Sequence, residues 1–151
     1  RLDCPVIDLD SEIVKSQEMS IAEYFEKYGE AAFRQLESDT LKTFDYPETC
    51  VVATGGGLPC FFDNMDFIKT NGISVFLNVQ PEDLFKRIKL SDANNRPLIN
   101  KSSGNQALFE DLKKRYETRL PFYMRADIKI DGNIEVQQLL WLLYEINEKQ
   151  S

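Results

Sequence analysis

At 151 residues the chain is long enough for one domain with a sizeable core, and its 42% hydrophobic and 28% charged content suits an ordinary globular protein. A formal net charge of −7 argues against nucleic acid as the main partner, because phosphate binding needs a basic face. There is no histidine, which removes Ser-His-Asp and Cys-His catalysis and most zinc sites. Any catalysis must therefore rest on Asp, Glu, Arg, Lys, backbone amides or an oxygen-liganded metal. No apolar stretch approaches the roughly 20 residues that span a bilayer, no signal-peptide pattern is visible, and membrane is not an expected partner. Cys4, Cys50 and Cys60 are odd in number, show no C-x-x-C spacing and sit beside apolar residues. They read as reduced thiols in a cytoplasmic protein.

Pro5 to Asp10 alternates apolar and acidic residues, as a short strand ending in two carboxylates would. Ser20 with Glu23 is a capping box that opens a helix carrying Ile21, Tyr24 and Phe25. Gly29 punctuates that helix, and a second helical stretch runs from about Glu30 to Phe44 with Phe33, Leu36 and Leu41 on its apolar side. Val51 to Thr54 is β-branched and apolar, and reads as a buried strand that stops at Gly55-Gly56-Gly57. A helix over Asn64–Thr70 follows, then a strand over Ile73–Val79, then a helix from Pro81 to about Lys89. Ser91 to Asn105 is polar and reads as a long functional loop. A helix over about Gln106–Arg119, a strand over Ile128–Asp131 and an amphipathic helix over Ile134–Lys149 complete the chain. Strands alternating with helices predict a parallel α/β sheet in a single domain over 1–151.

Three glycines at the end of a strand remove every β-carbon from a patch of backbone, so a ligand can approach the main chain. Ligands in open α/β sheets bind at such carboxyl ends; a flexible turn is the ordinary meaning of a lone Gly-Gly-Gly. Asp8 and Asp10, two apart on the expected strand, would point the same way. They read equally as a solvated strand end or as a pair that holds a hard cation and accepts a substrate hydroxyl. Arg34 and Glu37 are adjacent on a helix, most often a surface ion pair of little worth. The functional alternative is that Glu37 orients the Arg34 guanidinium for a bidentate grip on a carboxylate. Arg96, in the polar loop, could swing over a phosphoryl group or be merely solvated. Arg119 at a helix end is explicable by the helix dipole, and Arg87 by solvent exposure.

No one of these residues is specific, but their order is. Asp8-Leu9-Asp10, Ser20 to Phe25, Gly29 to Glu37, Gly55 to Gly57, Arg96-Pro97-Leu98 and Arg119 to Tyr123 stand in this order along the chain. The set resembles shikimate kinase over essentially its whole length. The resemblance implies a P-loop kinase-like three-layer α/β/α fold of the nucleoside-monophosphate-kinase type. It also implies ATP-dependent phosphorylation of shikimate to shikimate 3-phosphate, in aromatic amino-acid biosynthesis through chorismate. By the same resemblance, Asp10 takes the substrate hydroxyl as positioning group and base. Arg34 and Arg119 clamp the shikimate carboxylate, with the backbone of Gly55, Gly56 and Gly57 against the ring. Asp8 holds Mg²⁺ through water, Arg96 is the lid arginine over the transferring phosphate, and Arg87 stacks on adenine. Glu37 supports Arg34, the span from about 91 to 105 is the lid, and a monomer is expected.

The family's phosphate-binding loop, G-x-x-x-x-G-K-[ST], occurs nowhere in these 151 residues. In the family that loop and its strand come before Asp-x-Asp, and the strand runs through the middle of the sheet. The chain begins at Arg1 rather than Met, so a longer protein is expected, and these residues alone are expected to turn over ATP poorly. Two other readings are a different small-molecule kinase, such as a gluconate kinase, and a non-catalytic relative that binds shikimate or a protein partner.

Overall fold

The structure is a computed structural model that describes residues 3–95, 102–132 and 134–150. The chain falls into two compact units, Arg1–Gly72 and Ile73–Ser151. The order in the first unit is β1 (Val6–Asp8), α1 (Leu9–Gln17), α2 (Ile21–Thr43), β2 (Val51–Ala53), a 3-10 turn (Leu58–Cys60) and α3 (Asn64–Asn71). The second holds β3 (Val75–Asn78), α4 (Pro81–Asn95), α5 (Ser102–Tyr123), β4 (Ile128–Asp131) and α6 (Val136–Gln150). Among the described residues, no helix is long and apolar enough to cross a membrane.

β1 pairs with β2 in parallel, with Val6 opposite Val51 and Asp8 opposite Ala53. β3 pairs with β4 in the same way, Val75 opposite Ile128 and Asn78 opposite Asp131. Each pair is joined through helices, as parallel strands require. The pairs form two separate two-stranded sheets rather than the single sheet the alternation of elements suggests. Val6 at 74% and Leu77 at 56% relative exposure leave an apolar side chain in solvent on each pair.

In the first unit, Ile7 and Leu9 from β1 and α1 meet Leu41 of α2 and Leu58 of the 3-10 turn. Phe44, Tyr46, Val52, Phe67 and Ile68 pack against them. α2 begins at the Ser20 capping box, in which Ser20 and Glu23 satisfy each other's backbone N–H. Gly29, at φ +83° and ψ 171°, breaks the helical path inside α2. Only glycine adopts that conformation without strain, so the sequence's division of this segment at Gly29 is a kink within one helix. In the second unit, Ile128 and Ile130 are buried, Phe76 packs on Tyr123 with ring centres 4.9 Å apart, and Phe85 packs on Phe109 at 5.4 Å. Asp127 braces β3 to β4 by accepting from both the backbone N–H and the hydroxyl of Ser74, at 3.0 and 2.6 Å.

Three local expectations change. The first strand stops at Asp8, and Asp10 lies in the first turn of α1, so the two carboxylates do not share a strand face. The cause is a cap: the Asp8 side chain accepts from Ser11 N–H at 2.9 Å, turning the chain into a helix. The helices α4 and α5 also extend into the span read as a long loop, covering residues up to 95 and from 102 onward. Finally, α5 continues through Pro121 to Tyr123 rather than ending near Arg119.

Candidate active site

Three elements of the first unit bring Asp10, Arg34, Glu37 and the glycine triplet together. Asp10 comes from the first turn of α1, Arg34 and Glu37 from α2, and Gly55–Gly57 from the turn after β2. The half-buried carboxylate of Asp10 lies against Gly55: a β-carbon there would sit 3.3 Å from Oδ2 and 3.5 Å from Oδ1. Gly55 also has φ +70°, so a side chain is disfavoured by the backbone as well as by its neighbour. At Gly57 the neighbour is Arg34, whose Nη1 would be 2.6 Å and Cζ 3.1 Å from an added β-carbon. The triplet is thus a floor with an acid over one end and a guanidinium over the other.

Arg34 is held on several sides. Its Nη1 donates to Glu37 Oε2 at 2.7 Å, while Nε and Nη2 donate to Glu30 Oε1 at 3.3 and 3.1 Å. The ring of Phe61 lies 4.5 Å from the guanidinium carbon, with Phe33 and Phe25 at 5.6 and 5.7 Å. A guanidinium has five N–H donors in one plane; among the described residues these bonds use three and leave one on each terminal nitrogen. Two in-plane donors are what a bidentate carboxylate needs. Glu37 and Arg34 keep only 5% and 12% of their side-chain surface exposed, so this is not the ordinary surface pair. Burial opposes the Arg34 charge, but the hydrogen bonds and charges of Glu37 and then Glu30 outweigh it and raise its pKa.

The Asp10 pKa is raised above the usual aspartate value. Burial is the largest cause and the charge of Asp8 the next, with Arg34 pulling in the opposite direction. A carboxylate held short of full ionisation stability beside another acid is a common arrangement for a proton acceptor. Asp8 is exposed and gives one oxygen to the Ser11 cap. No cluster of three or more Cys, Asp or Glu side chains suited to hold a metal occurs among the described residues. An Asp8 site would accordingly supply one protein oxygen and depend on water and phosphate for the rest, a donor set that suits Mg²⁺.

The other sequence-derived residues belong to the second unit or fall outside the description. Arg87 is exposed on α4, and Arg119 is half-buried near the end of α5. Arg96 lies outside the described residues, as does the centre of the expected lid. Sequence reasoning missed Glu30 and Phe61, which complete the frame around Arg34. Glu30 stands four residues before Arg34 on α2, a spacing that signals a helical pair; Phe61 had no signal, because its contact depends on the turn after the triplet.

The shikimate kinase family model matches residues 1–145. A shikimate kinase of Bacteroides thetaiotaomicron is 39% identical over 126 residues, 83% of this chain and 71% of that protein. One of Aquifex aeolicus is 37% identical over 131 residues, 87% of this chain and 73% of that protein. The crystal structure of the B. thetaiotaomicron shikimate kinase superposes with a TM-score of 0.77 at 34% identity, covering 99% of this chain and 85% of the other. A shikimate kinase from Acinetobacter baumannii, solved in complex with shikimate, gives 0.76 at 30% identity, over 94% of this chain and 79% of its own. These likenesses carry the P-loop kinase-like α/β fold class, to which the parallel strands and connecting helices conform. The chain belongs to the shikimate kinase family.

Proposed function

We propose that the first unit holds the acceptor in an ATP-dependent phosphorylation of shikimate that yields shikimate 3-phosphate. The observation that carries this reading is Arg34: a half-buried cation braced by Glu30, Glu37 and Phe61, with one N–H left on each terminal nitrogen among the described residues. Those two donors receive the shikimate carboxylate; by the family resemblance Arg119 would supply a second cation to it. The ring lies along Gly55, Gly56 and Gly57, where the backbone has no β-carbons to hold it off. The ring hydroxyl meets Asp10, whose carboxylate takes the hydroxyl proton as the oxygen attacks the γ-phosphorus and ADP departs. Catalysis of this kind is mostly positioning and charge stabilisation. Arg96 would neutralise the transferring phosphate and Arg87 would stack on adenine. Asp8 would hold Mg²⁺, which when bound offsets phosphate charge.

These 151 residues contain no G-x-x-x-x-G-K-[ST] sequence to cradle the ATP phosphates, and by themselves they are expected to turn over slowly. The substrate reading is tested on the complete gene product with a coupled assay for ADP. Shikimate is expected to support turnover and gluconate is not, because gluconate presents its carboxylate on a flexible chain. Faster turnover of gluconate would overturn the assignment.

A single methyl group probes the floor of the pocket. Gly57 has φ −86°, so alanine is compatible with the backbone there, but its β-carbon would displace the Arg34 guanidinium. Gly57→Ala in the complete protein is expected to raise the KM for shikimate about tenfold, the effect of losing roughly 1.4 kcal/mol of binding. The KM for ATP should be unaltered. Steady-state kinetics in both substrates checks this, and an equal rise in both constants would count against it.

A further inference from the structure

The glycine-triplet turn is tied to α2 by a hydrogen-bonded bracket inside the first unit. Asn64, the first residue of α3, has 0% relative exposure. Its Nδ2 donates to the Leu58 carbonyl at 2.9 Å, and its Oδ1 accepts from the Ser38 hydroxyl at 2.7 Å. Ser38 and Leu58 are also buried, at 2% and 1% exposure. Leu58 directly follows Gly57, and Ser38 directly follows Glu37. One amide therefore joins the residue after the triplet to the residue after the carboxylate that holds Arg34. Outside it, Lys42, one turn further along α2, forms an ion pair with Asp63. The segment from Leu58 to Asp63, anchored at both ends by these ties, carries Phe61 over the guanidinium.

An aliphatic side chain of similar size could fill this buried volume without needing polar partners, whereas a buried amide must have them. What the amide adds is a fixed separation between the turn and the helix. That separation matters because Gly57 and Arg34 already leave no room for a β-carbon. We infer that Asn64, together with Ser38, is a positioning residue that sets the glycine-triplet turn against Arg34 and thereby the carboxylate end of the acceptor pocket. Neither residue touches the pocket's own donors in the hydrogen-bond pattern; they act through Leu58 and α2. The inference rests on the proposed reading of that pocket as the shikimate site.

The test uses the complete protein and compares Asn64→Asp, Ser38→Ala, Ser38→Thr and Arg34→Ala by steady-state kinetics and thermal unfolding. Asn64→Asp keeps the shape but removes the donor to Leu58; Ser38→Ala deletes one hydroxyl. Both are expected to raise the KM for shikimate about fivefold to tenfold, with kcat and the KM for ATP within about twofold of wild type. Ser38→Thr, which keeps the hydroxyl, is expected to restore the wild-type KM. A purely structural role would lower the melting temperature and the active fraction while leaving both KM values unchanged. That result in a folded Ser38→Ala protein would overturn the inference, and this variant carries the test if Asn64→Asp does not fold. If Arg34→Ala raises the shikimate KM while the bracket variants do not, only the positioning role falls. If Arg34→Ala itself leaves that KM unchanged, the pocket reading falls and the positioning role with it.

Discussion

Replacing Asp10 by asparagine in the complete protein is expected to lower kcat by about 10²- to 10⁴-fold, the range of general-base contributions. Asparagine keeps the shape and can still meet the hydroxyl, so the KM for shikimate should change by less than about tenfold. The pH dependence gives a second readout. Burial and Asp8 raise the Asp10 pKa, so the acid limb of kcat/KM should lie above the ordinary aspartate range. Arg34 opposes that shift, so removing its charge should move the limb further up. Stability runs the other way. A carboxyl whose pKa is raised on folding binds its proton more tightly in the native state, so its contribution is fully present below the unfolded pKa. It is lost as pH rises through the folded value, the same interval in which activity appears. A pH profile of kcat/KM together with urea unfolding at each pH checks both signs. An acid limb at the position of an unperturbed aspartate would contradict the role of Asp10.

Arg34→Ala is expected to weaken shikimate binding by about 10²-fold or more, because losing one partner of a buried, hydrogen-bonded charge pair costs roughly 2–5 kcal/mol. Lysine is not an adequate replacement. It offers a point charge with no planar pair of donors, and it cannot serve Glu37, Glu30 and a carboxylate together. Removing Arg34 also leaves Glu37 buried without the partner at 2.7 Å, so some loss of fold stability is expected as well. Direct titration with shikimate separates the two effects, since the folded fraction is measured independently. Unchanged affinity in a folded Arg34→Ala protein would exclude a carboxylate grip.

The sequence made much of this arrangement legible, for identifiable reasons. The helix starting at Ser20 is announced by a local box whose two hydrogen bonds need only four residues, and it forms as written. The strands at Val51, Val75 and Ile128 are short apolar runs bounded by turn residues, and all three pair. The sequence places Asp10 on a strand, whereas the Asp8 cap on Ser11 turns that strand-like alternation into a helix start. The Arg34–Glu37 pair was visible as a spacing, whereas its burial was not, since burial comes from Phe25, Phe33 and Phe61 closing around it. Asn64 gave no signal at all. An asparagine at the start of a helix ordinarily suggests a cap, and only the fold brings Ser38 and Leu58 to its two ends. The polar span after Ser91 reads as a loop on composition, yet α4 and α5 reach into it, because polar residues differ from good helix formers by only a few tenths of a kcal/mol each.

The central claim is that the planar guanidinium of Arg34, above Gly57, grips the acceptor's carboxylate. The most direct measurement is a chemical cycle by calorimetry, in which wild-type and Arg34→Ala proteins are each titrated with shikimate and with its neutral carboxamide. The wild-type protein is expected to prefer shikimate over the carboxamide by about 10²-fold, and that preference should fall by about tenfold or more in the variant, in which Arg119 remains. A variant that folds and still prefers the carboxylate to the same degree would show that another cation holds it.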